Sequence, residues 1–176
     1  YDQTEEQVRE LLEALRQCGL PIVFTMPNAD PGGRAIARML EEFVRDHVQA
    51  QMVDNLGTRG YFSLMAVSAA MVGNSSSGII EAASFGLPVV NIGARQQGRV
   101  RAPNVIDVGY GRDQIMKGIE EATVPEFRAR IRQLPNPYGD GHASSIILKN
   151  LKERPLDLQL VTKRFEDMLA GAAGPV

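Results

Sequence analysis

Val8, Leu11, Leu12, Leu15 and Cys18 recur at helical spacing, and Gly19 follows where a left-handed cap belongs, so Thr4 to Cys18 is predicted to be an amphipathic helix. The period then shortens. Pro21 to Thr25 is a short β-rich run, and Asn28, Asp30, Pro31, Gly32 and Gly33 form a turn cluster ahead of a second helix. The inner stripe of that helix is Ile36, Met39, Leu40, Phe43 and Val44. Strand-like runs return at Gln51 to Val53, Ala70 to Val72, Pro88 to Ile92 and Asn104 to Val108, with helical patterns between most of them. Past Asp113 the chain turns helical through Gln114 to Ala122, Pro125 to Gln133, Ala143 to Leu151 and Leu158 to Leu169. Short apolar strands alternating with helices predict an α/β fold, a doubly wound parallel sheet covered on both faces. There is no internal repeat.

Composition narrows the function classes. A chain of 176 residues with 44% hydrophobic content buries a real core and fits one domain, or one domain with an appendage. With 19 basic and 21 acidic residues its net charge is -2, which excludes the broad positive surface of a nucleic-acid binder, so any anionic ligand must be held locally. The lone Cys18 rules out an internal disulfide, and the distant His47 and His142 supply no ligand cluster, so neither a metal nor a cofactor is expected. No apolar run reaches the ~18 residues of a membrane span, and the start lacks the basic-then-apolar order of a signal peptide, which points to a soluble cytoplasmic protein. The opening Tyr1 suggests a fragment or a processed product.

The stretch from Gly73 to Gly93, GNSSSGIIEAASFGLPVVNIG, carries the candidate chemistry. Ala70 to Val72 is a strand, Gly73 and Asn74 turn the chain, and a helix is expected to begin near Ser76 with Ile79, Ile80, Ala83 and Phe85 packed inward. Ligands of doubly wound folds bind where strand leads into helix. Unpaired N–H groups and the helix dipole favour an anion there, serine hydroxyls add rotatable donors, and Gly78 lets a phosphate approach the backbone. The competing reading is a simple helix cap by Asn74 or Ser75, although capping needs only one serine. One turn deeper, Glu81 is suited to accept hydrogen bonds from a ribose diol, or else is a solvated charge near the helix start. Arg95, Arg99 and Arg101 occupy a glycine-bounded loop at the same sheet edge, as a diphosphate clamp or as solvated loop arginines.

That block closely resembles the C-terminal half of the hydrolysing UDP-N-acetylglucosamine 2-epimerases, the sialic-acid pathway branch in particular. The resemblance includes Ala94-Arg95-Gln96-Gln97-Gly98-Arg99 and Asn104-Val105-Ile106-Asp107-Val108-Gly109. It extends to Met26-Pro27-Asn28-Ala29-Asp30, Gly60-Tyr61-Phe62-Ser63-Leu64-Met65 and Asn136-Pro137-Tyr138-Gly139-Asp140-Gly141-His142-Ala143, and runs from about Asp2 to about Leu151. It implies the second of two Rossmann-like domains of a GT-B fold, without its first strand. The expected domains are a nucleotide-binding domain over residues 1–155 and a C-terminal helix over 156–176 that crosses back to an N-terminal domain absent here.

Roles follow from the same resemblance. Ser75, Ser76, Ser77 and Gly78 would hold the UDP diphosphate and Glu81 the ribose, beside Arg95 and Arg99 from the loop reading above. Tyr61 would lie beside the uracil, although its spacing with Leu64 and Met65 equally suits a core or rim aromatic. Asn28 and Asp30 border the cleft or simply make a turn, and Gly139-Asp140-Gly141 is taken as structural. The family reaction removes UDP across C1 and C2 of UDP-N-acetylglucosamine and hydrates the glycal to N-acetylmannosamine. The family's acidic catalytic residues lie mainly on the other domain and its catalytic histidine just upstream of Tyr1, so no catalytic residue is assigned in this chain. The expected partners are a UDP- or GDP-linked sugar, the missing domain and a second copy in a homodimer. The alternatives are a domain of a GT-B glycosyltransferase, a non-catalytic UDP-binding module, or a Rossmann-like domain whose serine turn binds nothing.

Overall fold

The computed structural model describes residues 3–27 and 32–162, apart from the side chain of Gln159. The expected cleft residues Asn28 and Asp30, and the expected helix beyond Thr162, lie outside the described residues. Two compact units divide the chain, Tyr1–Gly139 and Asp140–Val176. The boundary expected near residue 155 falls inside the second unit.

In the first unit the order is α1 (Thr4–Gln17), β1 (Ile22–Thr25), α2 (Gly33–Asp46), β2 (Ala50–Val53), α3 (Gly57–Val67), β3 (Met71–Gly73) and α4 (Ser76–Ile80). A 3-10 turn, Ala82–Phe85, follows, then β4 (Val89–Ile92), β5 (Val105–Val108), α5 (Arg112–Thr123) and α6 (Pro125–Ile131). Gly19 closes α1 at φ 64°, a conformation glycine adopts without a Cβ clash.

Among the described residues every strand pairing is parallel, but the strands form two sheets rather than the single one expected: β1 with β2, and β3, β4 and β5 in that spatial order. All four residues of β4 are buried, because its two faces are covered by different layers. Val90 and Ile92 join the core formed with α1, α2 and α5, while Val89 packs with Met65, Ala82 and Leu87 from α3 and the segment after α4. Period-two alternation with both faces apolar is what a doubly covered parallel strand requires. The close seating of α5 depends on Gly118, where a Cβ would stand 2.9 Å from both Val90 Cγ1 and Val108 Cγ1.

The helix expected after the serines begins at Ser76 as predicted, but it remains α-helical only to Ile80 before tightening into the 3-10 turn. The cause is distant in sequence. Asn136 Nδ2 donates to the Ile80 carbonyl at 2.7 Å, and the Ser84 N–H, the usual partner of that carbonyl, bonds Glu81 O at 3.0 Å instead. Gly86 at φ 55° ends the turn, its own N–H bonding Ala83 O and the Leu87 N–H bonding Ala82 O, both at 3.1 Å.

In the second unit, α7 (Ala143–Glu153) and α8 (Leu158–Val161) are described. Asp140 Oδ1 accepts the His142 N–H at 3.1 Å, a local turn bond ahead of α7. Among the described residues no helix is long and apolar enough to cross a membrane.

Candidate functional site

A cavity of about 1030 Å³ opens at the carboxyl ends of the strands, where parallel α/β folds place their ligands. Its wall takes Thr25 to Pro27 from the end of β1, Val53 to Thr58 from the end of β2, Tyr61 and Phe62 from α3, and Met71 to Ser75 from β3 and its turn. Ser77, Glu81 and Arg95 complete the polar side.

The serine turn is built locally. Ser75 adopts extended φ/ψ and caps α4, its Oγ accepting the Ser77 N–H at 3.3 Å. Among the described residues, the N–H groups of Ser75 and Ser76 carry no backbone or side-chain partner. Ser77 Oγ accepts the Tyr61 phenol at 3.0 Å, bringing together two sequence-predicted residues sixteen positions apart. The Tyr61 ring packs against the smaller core, 6.3 Å from the Phe62 ring, which in turn lies 5.3 Å from Phe85.

Two side chains of the arginine loop converge on the Asn74 carbonyl of the turn. Arg95 Nη1 donates to it at 3.0 Å, and Gln96 Nε2 donates at 2.7 Å. In a trans peptide the N–H of Ser75 points opposite to the C=O of Asn74, so the two donors on that carbonyl fix the direction of the N–H as well. Gln96, only 3% exposed, lies inside the quoted motif but was given no role from the sequence, since glutamine in a loop usually faces water. Arg101 points elsewhere. Its Nε lies 3.2 Å from Asp107 Oδ2 and its Nη2 donates to Gln96 O at 3.0 Å, while Asp107 Oδ1 accepts Asn91 Nδ2 at 2.7 Å across the β4–β5 pair. Arg101 is therefore a brace for the loop.

Five predicted site residues line the cavity: Ser75, Ser77, Glu81, Tyr61 and Arg95. Ser76, Gly78 and Arg99 do not. Arg99 is an exposed loop residue whose carbonyl accepts Arg101 Nη1 at 3.3 Å. Gly78 is buried, and a Cβ there would stand 2.8 Å from Val89 Cγ1, so its missing side chain serves the packing of α4 on β4. Among the described residues no three His, Cys, Asp or Glu side chains gather as metal ligands.

The family model of UDP-N-acetylglucosamine 2-epimerase matches residues 1–152. The chain belongs to that family. This member of the epimerase family is 39% identical over 163 residues to the UDP-N,N'-diacetylbacillosamine 2-epimerase (hydrolyzing) of Legionella pneumophila, a match covering 92% of this chain and 42% of the relative. It is 36% identical over 168 residues to the GDP/UDP-N,N'-diacetylbacillosamine 2-epimerase (hydrolyzing) of Campylobacter jejuni, covering 94% of this chain and 43% of that one. The epimerase-family chain thus spans less than half the length of these relatives. Among solved structures, the S. aureus MnaA-UDP co-structure superposes with a TM-score of 0.69 at 22% identity, over 86% of this chain and 43% of that one. The UDP-N-acetylglucosamine 2-epimerase of Neisseria meningitidis bound to UDP-GlcNAc gives a TM-score of 0.62 at 21% identity, over 86% and 41%. These structural likenesses establish the shared fold.

Proposed function

We propose that this chain is the UDP-binding portion of a hydrolysing 2-epimerase, which eliminates UDP across C1 and C2 of a UDP-linked acetamido sugar and hydrates the glycal to the C2 epimer. The observation that carries the reading is the cavity wall, where the serine turn, Arg95 and Glu81 converge at the strand ends in a chain of this family. In the elimination, negative charge grows on the departing diphosphate. Backbone N–H groups of a braced turn and the Arg95 guanidinium stabilise that charge without reorganising. Glu81 takes the ribose diol. The general base and the opposite wall of the sugar pocket come from the remainder of the enzyme. The second unit, with Ile146, Ile147 and Leu151 of α7 all more than half exposed, is suited to packing against that remainder.

UDP-N-acetylglucosamine is the substrate the motifs imply, but the relatives favour a second reading. Two diacetylbacillosamine enzymes match at 39% and 36% identity, against 30% for the UDP-N-acetylglucosamine 2-epimerase of Neisseria meningitidis, which supports a 2,4-diacetamido sugar. The test is incubation of the intact enzyme with each UDP-sugar and no acceptor. Free UDP with the C2-epimerised sugar is the expected outcome. UDP release that depends on an added acceptor would assign a glycosyltransferase instead.

A further inference from the structure

We infer that the Tyr61 phenol is a positioning group for the diphosphate, acting through Ser77. The inference rests on the nucleotide reading above and gives this tyrosine a task at the phosphate end of the ligand, separate from any contact of its ring with a base. The phenol donates to Ser77 Oγ at 3.0 Å, and both residues line the cavity. A serine hydroxyl has one proton and two lone pairs. Once the phenol, the more acidic of the two hydroxyls, occupies a lone pair, the Ser77 proton is left to donate onward. Phosphate oxygens only accept. The pair is therefore polarised from Tyr61 through Ser77 toward an anion, and each bond of such a chain strengthens the next.

Placement of the phenol is imposed by packing. The Tyr61 ring is held at the edge of the core made by Met65, Ala82, Leu87 and Val89, so its hydroxyl arrives at Ser77 from a fixed side. The backbone N–H of Ser77 is already committed to Ser75 Oγ, which leaves the hydroxyl as the donor Ser77 can offer a ligand. Without the phenol, a serine near a helix start can turn its proton back to a carbonyl of the preceding turn.

Tyr61→Phe keeps the ring and deletes only the donor. It is expected to weaken UDP binding about 3- to 10-fold, the size of one hydrogen bond, while leaving uridine binding, followed by saturation-transfer NMR, unchanged. Ser77→Ala is expected to cause a similar loss, and the double variant to lose little more than either single one. Thermal melting of each variant checks the fold. Equal losses for UDP and uridine in Tyr61→Phe would place the tyrosine at the base, and additive losses in the double variant would uncouple the two hydroxyls; either overturns the inference. Wild-type affinity for UDP in Tyr61→Phe overturns it too, while leaving the nucleotide reading intact. A wild-type chain that binds neither ligand removes that reading and this inference together.

Discussion

At the serine turn, individual donors outweigh the helix they precede. A helix of five residues aligns few peptide dipoles, and even a full dipole is worth about 0.3 to 1 kcal/mol to a nearby anion. A hydrogen bond to a charged group contributes about 1.5 to 3 kcal/mol. On the proposed reading, the orientation of the Ser75 and Ser76 N–H groups decides affinity, and Gln96 fixes the first of them through the Asn74 carbonyl. Gln96→Glu sets a carboxylate against the Asn74 carbonyl in place of the 2.7 Å bond. UDP affinity, measured by calorimetric titration, is expected to fall at least about tenfold, as for the loss of one strong hydrogen bond. Unchanged affinity would mean that the turn holds its shape without the glutamine. Glu81, Ser75 and Arg95 were legible in the sequence because local motif and strand order suffice to place them. Gln96 was not legible: its burial depends on a carbonyl twenty-two positions away, and nothing adjacent to it in the chain signals that contact.

The elements were legible where periodicity is strong. The four later strands and the flanks of α1, α5 and α6 fall within a residue or two of their expected bounds, since alternating or helical burial leaves a repeat in the sequence. The segment after the serines was not, because its break into a short helix and a 3-10 turn is set by Asn136 across the fold. Asn136→Ala releases both the Ile80 carbonyl and the Ser84 hydroxyl, and is expected to destabilise the chain by about 1 to 2 kcal/mol in urea unfolding. Gly78 and Gly118 belong to the same level of organisation. Each lets a helix approach a strand too closely for a Cβ, so Gly78→Ala and Gly118→Ala should each cost about 1 to 3 kcal/mol. A neutral Gly118→Ala would show that Val90 and Val108 rotate aside. Gly78→Ala should also disturb UDP binding, because α4 carries Ser77 into the cavity.

Across the first unit, the carboxyl ends of β1, β2 and β3 line the cavity while the cores lie along the strands under the helices, so the proposed binding groups and the main packing separate in space. The match to less than half of its hydrolysing relatives predicts a division of labour. The chain alone is expected to bind UDP weakly and to release none from a UDP-sugar, as followed by a coupled UDP assay, because one wall of leaving-group donors lacks a base for the C2 proton. Turnover by the chain alone would place the base among its own residues. The decisive measurement is a crystal structure of the chain soaked with UDP. Diphosphate oxygens within hydrogen-bond distance of the Ser75 and Ser76 N–H groups and of Ser77 Oγ, with the ribose diol on Glu81, are the predicted result. Nucleotide bound away from the serine turn, or a turn left empty at saturating UDP, would contradict it.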